Sequence, residues 1–111
     1  METLKNSSDF RKVIDRGSRE ILGTITVFRL LNEKGITRIG ISVSKKTGNS
    51  VTRNKIKRRI REAIRKSASF LPAGEDIVII ARRKAANKGY KEVEKDVLEI
   101  LKVRKVEGEI E

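Results

Sequence analysis

The stretch Arg53-Asn54-Lys55-Ile56-Lys57-Arg58-Arg59-Ile60-Arg61-Glu62 decides how this chain folds. Six of its ten residues are Lys or Arg, yet Ile56 and Ile60 keep a helical spacing that continues to Ile64. A solvated basic tail has no reason to keep that period. The pattern therefore predicts a helix over about residues 51–66, with one apolar face against a core. Its other faces are positively charged and favour a polyanionic partner.

The positive charge of the chain is concentrated around this helix. The 111 residues carry a net charge of +12, and residues 45–66 alone contribute +9 from ten Lys or Arg and one Glu. Residues 92–111 are net negative, at −3. A localised excess of this kind is typical of a surface that binds nucleic-acid phosphates, and RNA is the first partner to consider.

Several classes of site are excluded by composition. The chain has no Cys and no His, so it has no disulfide framework, no thiolate metal site and no His-activated nucleophile. No apolar run approaches 18 residues, and neither a signal peptide nor a membrane span is expected. The lack of Cys fits a reducing compartment, and we expect a cytoplasmic protein.

The rest of the chain predicts one α+β domain over residues 1–111, with helices packed on a sheet. The predicted order is α-β-β-α-β-α, with one extra short strand near Arg19–Leu22. The predicted elements are a short helix between Asn6 and Gly17, a strand over 24–31, a hairpin turn at 32–35, a strand over 38–44, the basic helix, a buried central strand over 76–81, a last helix over 87–103 and a frayed charged tail over 104–111.

The helix also predicts a groove. At 100° per residue, Arg53, Lys57 and Arg61 form a stripe along one edge of the apolar face. The strand over 38–44 has a small face, Gly40, Ser42 and Ser44, that leaves room for another group. If the stripe overlooks this face and Phe28, the two form a basic groove suited to a single RNA strand. The simpler interpretation makes Phe10 and Phe28 ordinary core residues.

Arg53-Asn54-x-x-Lys57-Arg58-x-x-Arg61 resembles the arginine-rich signature of the protein component of bacterial ribonuclease P. Three other segments resemble further parts of that family, from about Leu4 to Leu101. They are Asp9-Phe10-x-x-Val13, the strand and loop from Ile39 to Val51, and Asp76-Ile77-Val78-Ile79-Ile80-Ala81-Arg82.

This resemblance implies a ribosomal-protein-S5-domain-2-like fold, a two-layer α/β sandwich with a left-handed βαβ crossover. It implies a protein, monomeric when free, that binds a catalytic RNA and the 5′ leader of precursor tRNA. The holoenzyme is an endoribonuclease that removes the leader. The RNA carries the catalysis with Mg²⁺ that is bound mainly by RNA, and the protein contributes no catalytic residue.

The resemblance also implies two sets of RNA-binding residues. The positions that match the leader cleft are Phe10, Phe28, Ser42, Arg53, Lys57 and Arg61. The positions that match the contact with the catalytic RNA are Lys45, Lys46, Asn54 and Arg58, and Arg65 lies on the same outward face. One departure is Ile14, which stands where family members usually carry a second aromatic residue.

Three alternatives belong to other classes. The first is a ribosomal-protein-like module that only braces RNA. The second is a duplex-DNA module with residues 51–66 as its recognition helix. It is disfavoured because the sequence predicts no short helix that packs beside this one across a tight turn. The third is a protein-only nuclease, disfavoured because Asp9, Asp15, Glu75 and Asp76 show no metal-ligand spacing.

Overall fold

A computed structural model describes the backbone of residues 2–110 and the side chains of residues 2–69 and 71–102. The strands are Glu2–Thr3 (β1), Ser18–Leu22 (β2), Ile25–Leu31 (β3), Arg38–Ser42 (β4) and Glu75–Ala81 (β5). The α-helices are Ser7–Arg16 (α1), Ser50–Ser67 (α2), Ala85–Lys88 (α3) and Tyr90–Ile110 (α4), and 3-10 turns span Lys45–Thr47 and Ala68–Phe70. This order confirms the predicted one, including the extra strand, and adds β1 and α3.

The five strands form one sheet in the order β1-β4-β5-β3-β2. β5 lies at the centre, parallel to β4 and antiparallel to β3. Ile77, Val78 and Ile79 are fully buried, which confirms the prediction of a strand covered on both faces.

The predicted hairpin between β3 and β4 is wrong, because β5 lies between these strands. A strand that is apolar on both faces is most stable in the middle of the sheet, so β5 separates two strands that are neighbours in sequence. The hairpin of this sheet joins β2 to β3 instead, and Gly23 makes its turn with a φ of +48°.

Helices cover both faces of the sheet. α2 and α4 form the main helical layer over residues such as Ile25 and Ile79, and α1 packs on the opposite face over Phe28 and Val78. β4, α2 and β5 make the parallel crossover, and the topology agrees with the predicted S5-domain-2-like sandwich with a left-handed crossover. Over the described residues, no helix is long and apolar enough to cross a membrane.

The C-terminal region differs from the prediction in where its helix begins. The predicted helix over 87–103 is divided, because Gly89 adopts a φ of +89° between α3 and α4. The side chains of residues 104–110 and the whole of residue 111 lie outside the described residues. The predicted fraying of residues 104–111 therefore stays a prediction.

Candidate nucleic-acid interface

α2 is held at its start by a cap and along its length by the core. The side-chain oxygen of Asn49 accepts a hydrogen bond from the Thr52 amide at 2.9 Å, which satisfies one of the free donors of the first turn. Ile56 and Ile60 are fully buried, as the spacing predicted. Arg53 Nε donates to the Gly48 carbonyl oxygen at 3.2 Å, so its guanidinium lies beside the loop before the helix.

One side of α2 is neutralised by α4. Glu94 accepts from Lys66 Nζ at 2.6 Å and lies 3.8 Å from Arg59 NH1. The Lys55 ammonium lies 5.8 Å from the centroid of the Tyr90 ring, a cation–π distance. These three cations therefore have partners within the protein, although their positions in the sequence look no different from those of the others.

The other side of α2 and the loop before it keep their charge. Among residues 2–69 and 71–102, none of the following five cations forms an ion pair: Lys45, Lys46, Lys57, Arg58 and Arg61. All are exposed except Lys57, which is partly buried. Like charges one turn apart on a helix repel each other, and a bound polyanion relieves that repulsion.

Arg65 is an intermediate case. Its guanidinium pairs with Glu62 one turn earlier, and that contact lowers the pKa of the Glu62 carboxyl. The Arg65 side chain is nevertheless 71% exposed, so phosphate can still reach it. Asn54, also predicted to contact the catalytic RNA, is exposed on the same outward side.

A cavity of about 320 Å³ lies at the edge of the sheet, where β1 ends and β4 continues. It joins residues from both helical faces of the sheet. α2 contributes Arg61 and α1 contributes Phe10, which is partly exposed. The wall also includes Glu2, Thr3, Leu4, Ile39, Ile41 and Ile64.

The predicted groove is wrong in its geometry. Ile39 and Val43 face α2, so alternation along β4 turns Gly40 and Ser42 toward α1. A Cβ added at Gly40 would lie 2.3 Å from Phe10 Cζ, which shows that the ring lies directly on this glycine. The basic stripe and the small face thus lie on opposite faces of the sheet and meet only around its edge.

Phe28 belongs to the core. It is 8% exposed and packs in one cluster with Leu4, Val13 and Val78. Little of its ring is available to a base, so the predicted stacking role does not fit, and the simpler interpretation as a core residue is correct. Phe10 remains accessible, and Ile14, one turn further along α1, is 37% exposed.

The buried acids have structural partners. Asp76 accepts from Arg38 at 2.8 and 2.6 Å and from Asn32 at 2.8 Å. The hydrogen bond from Arg38 is the main reason that the pKa of Asp76 is lowered. Glu75 accepts from the buried Arg29 at 2.7 Å. These carboxylates do not fit a magnesium site, and residues 2–69 and 71–102 contain no cluster of three metal-ligating side chains.

Two features of the interface were missed from the sequence. β1 has two residues, which are too few for a periodic pattern. It is nevertheless the edge strand of the sheet, and it lines the cavity. The sequence does not predict the apolar wall formed by Ile39, Ile41 and Ile64 either. The alternation along β4 is the signal that could have predicted this wall, because it places Ile39 and Ile41 on the same face of the sheet, the face that α2 covers.

Comparison with known proteins agrees with the resemblance. The family model described as Ribonuclease P matches residues 1–105. The ribonuclease P protein component of Streptococcus pneumoniae (strain Hungary19A-6) is 42% identical over 103 residues, which are 93% of this chain and 84% of the relative.

Two solved structures are also similar. The RNase P protein of Staphylococcus aureus superposes with a TM-score of 0.86 at 36% identity, over 96% of this chain and 97% of that one. The RNase P protein of Thermotoga maritima gives a TM-score of 0.81 at 31% identity, over 92% and 96% of the two chains.

Proposed function

The chain belongs to the family of ribonuclease P protein components, the protein subunits of a tRNA-processing enzyme, and from this premise we propose that it binds two RNAs at once. One is the catalytic RNA and the other is the 5′ leader of precursor tRNA. The observation that supports this proposal most directly is that Arg61, the last cation of the stripe, lines the sheet-edge cavity together with Phe10. Among the described side chains, Arg53, Lys57 and Arg61 form no ion pair. Family membership decides against the DNA-binding module and the RNA brace.

The two surfaces of α2 have separate partners in this proposal. Arg53, Lys57 and Arg61 bind leader phosphates, and Phe10 at the cavity wall stacks on a base. Ser42, on the Phe10 side of the sheet, adds a hydroxyl near the same edge. The surface for the catalytic RNA consists of Lys45, Lys46, Asn54, Arg58 and Arg65.

The protein acts by position and charge. The RNA subunit hydrolyses the phosphodiester bond with Mg²⁺ that RNA holds, and no protein side chain takes a proton in that step. By holding the leader, the protein raises affinity for precursor over mature tRNA. Its cations also reduce the repulsion between two RNAs, so less Mg²⁺ is needed. The free protein is a cytoplasmic monomer.

Stepwise truncation of the leader tests this proposal. Precursor affinity is measured for the catalytic RNA with and without protein, at leader lengths from full length to zero. We expect the gain from the protein to fall as nucleotides are removed and to vanish with the last of them. A gain that is the same at zero length would show that the protein does not bind the leader.

A further inference from the structure

Two long segments of this chain contain no acidic residue. Residues 34–61 carry ten Lys or Arg, and residues 77–91 carry five, without a single Asp or Glu in either. The proposed function uses the first segment. The second, which begins in β5 and continues through α3, has no part in it.

The sheet brings these two segments to the same end of the molecule. β4 and β5 are parallel neighbours, with Ser42 opposite Ile80. The loop with Lys45 and Lys46 leaves β4 at this end, and the turn with Arg83 leaves β5 there, because parallel strands end at a common edge. α3 contacts α2, and the cation–π contact of Lys55 with Tyr90 also joins the two regions.

The turn after β5 is held in place by hydrogen bonds to the turn between β2 and β3. The Arg82 amide donates to the Thr24 carbonyl at 2.8 Å, and the Arg82 guanidinium donates to the Gly23 carbonyl at 2.9 Å. The Ala85 amide closes the turn on the Arg82 carbonyl at 2.9 Å, and the Ala85 side chain is fully buried. The position of this turn is therefore set before any ligand arrives.

Arg83, Lys84 and Lys88 are exposed on the outside of this turn. In the part of the chain whose side chains are described, none of the three forms an ion pair. Tyr90, the aromatic ring that follows this turn in the sequence, already faces Lys55. Exposed cations without a free ring suit phosphates rather than bases, and so suit a double-helical segment better than a stacked single strand.

We propose that Arg83, Lys84 and Lys88 extend the surface of Lys45 and Lys46, and that together they bind the phosphate backbone of one double-helical segment of the catalytic RNA. This inference rests on the proposed function, since it adds a second contact to the same RNA partner. The leader remains on the other edge of α2, away from this surface.

The double variant Arg83→Ala/Lys84→Ala tests the contact. Its matched control is Arg11→Ala/Lys12→Ala, which removes the same two residue types from exposed positions on α1. We expect the affinity for the catalytic RNA alone to fall about tenfold or more in the first variant and to change less than twofold in the control. The salt slope of binding should become less steep by about two, because each lost duplex phosphate contact accounts for about 0.9. Equal losses in the two variants would overturn the proposal.

A tethered probe locates the same contact without relying on affinity. The chain has no Cys, so a single substitution provides one attachment point for an iron–EDTA group. The three variants are Lys84→Cys, Lys46→Cys and Lys12→Cys. Strand cleavage from positions 84 and 46 should fall in the same helical segment of the catalytic RNA. Cleavage from position 84 in the leader, or in a segment remote from that of position 46, would overturn the proposal.

The outcomes separate this inference from the proposed function. If wild-type protein gives no leader-dependent gain, the proposed function fails whatever the variants do. If wild-type protein gives that gain and Arg83→Ala/Lys84→Ala binds the catalytic RNA as wild type does, only the further inference fails. Circular dichroism and the melting temperature confirm that each variant is folded.

Discussion

At the scale of single residues, Gly40 sets the position of Phe10. A Cβ at residue 40 would lie 2.3 Å from Phe10 Cζ, closer than atoms can approach. We expect Gly40→Ala to displace the ring and to destabilise the protein by about 1 kcal/mol, because the clash is with the tip of a partly exposed side chain that can turn out of its preferred rotamer. Urea unfolding measures the loss, and leader-dependent affinity should fall with it.

Phe10→Ala provides the control for this contact. With the ring removed, the added methyl group has space, so Gly40→Ala should cost far less in the Phe10→Ala background than in wild type. The same cost in both backgrounds would mean that the strain arises elsewhere along β4.

Asp76 links stability to pH. Hydrogen bonds from Arg38, and then from Asn32, hold its pKa below the ordinary value of 3.8. A lowered folded-state pKa stabilises the fold at pH values above the unfolded-state pKa, and that stabilisation is lost as pH falls through the folded-state pKa. We expect Asp76→Asn to cost about 1–3 kcal/mol at pH 7, because Arg38 loses its main ion-pair partner and keeps only the longer contact with Asp9 at 3.3 Å.

Urea unfolding at pH 7 and at pH 3 measures this effect. The difference between wild type and Asp76→Asn should narrow at pH 3, because there the Asp76 carboxyl of the unfolded wild-type chain, with its ordinary pKa of 3.8, is mostly protonated. Asp15→Asn, an exposed position on α1, serves as control and should differ little from wild type at either pH. A difference that is constant between pH 7 and pH 3 would argue against the ion pair as the cause.

At the scale of elements, the two edges of α2 can be separated by substitution. Lys57→Ala/Arg61→Ala should weaken precursor affinity about tenfold, or about 1.4 kcal/mol, and leave affinity for the catalytic RNA nearly unchanged. The salt slope of leader binding should become less steep by about 1.4, since each single-strand contact accounts for about 0.7. Asn54→Ala/Arg58→Ala should instead weaken the affinity for the catalytic RNA and leave the contribution of the leader to precursor affinity nearly unchanged.

Arg59→Ala is the control for this comparison. It removes a cation from the same helix, but one that already lies near Glu94 of α4. Little change in either affinity is expected. If Arg59→Ala weakens precursor binding as much as Lys57→Ala/Arg61→Ala does, the effect is one of total charge and not of position on α2.

The elements also show how far the sequence determines the fold. The sequence predicts α2 almost to its ends, because the spacing of its apolar residues is a local signal. The pairing of the strands was not predicted correctly. The partner of each strand depends on the position of β5, which is buried on both faces, and this position is a property of the whole sheet. Phe28 was misassigned for the same reason. Alternation gives its face, but α helices cover both faces, and only the packing shows that this one is closed by α1.

At the scale of the whole molecule, the distribution of charge limits the stability of the free protein. Of a net +12, residues 45–66 carry +9, and α4 offers these residues only Glu94 as an ion-pair partner among the described side chains. The unpaired cations repel each other in the folded state more than in the extended chain. An anion bound at this surface should therefore stabilise the fold by mass action.

We expect the melting temperature to rise with sulfate or phosphate at constant ionic strength, with chloride as reference. A stabilisation of about 1 kcal/mol would raise it by roughly 4–8 °C in a domain of about this size. Sulfate also stabilises proteins in general by exclusion from their surface. The variant Lys57→Ala/Arg61→Ala separates the two effects, because exclusion is unchanged by two substitutions whereas a bound anion loses its contacts. A rise that is equal in wild type and variant would show that these two residues are not part of an anion site.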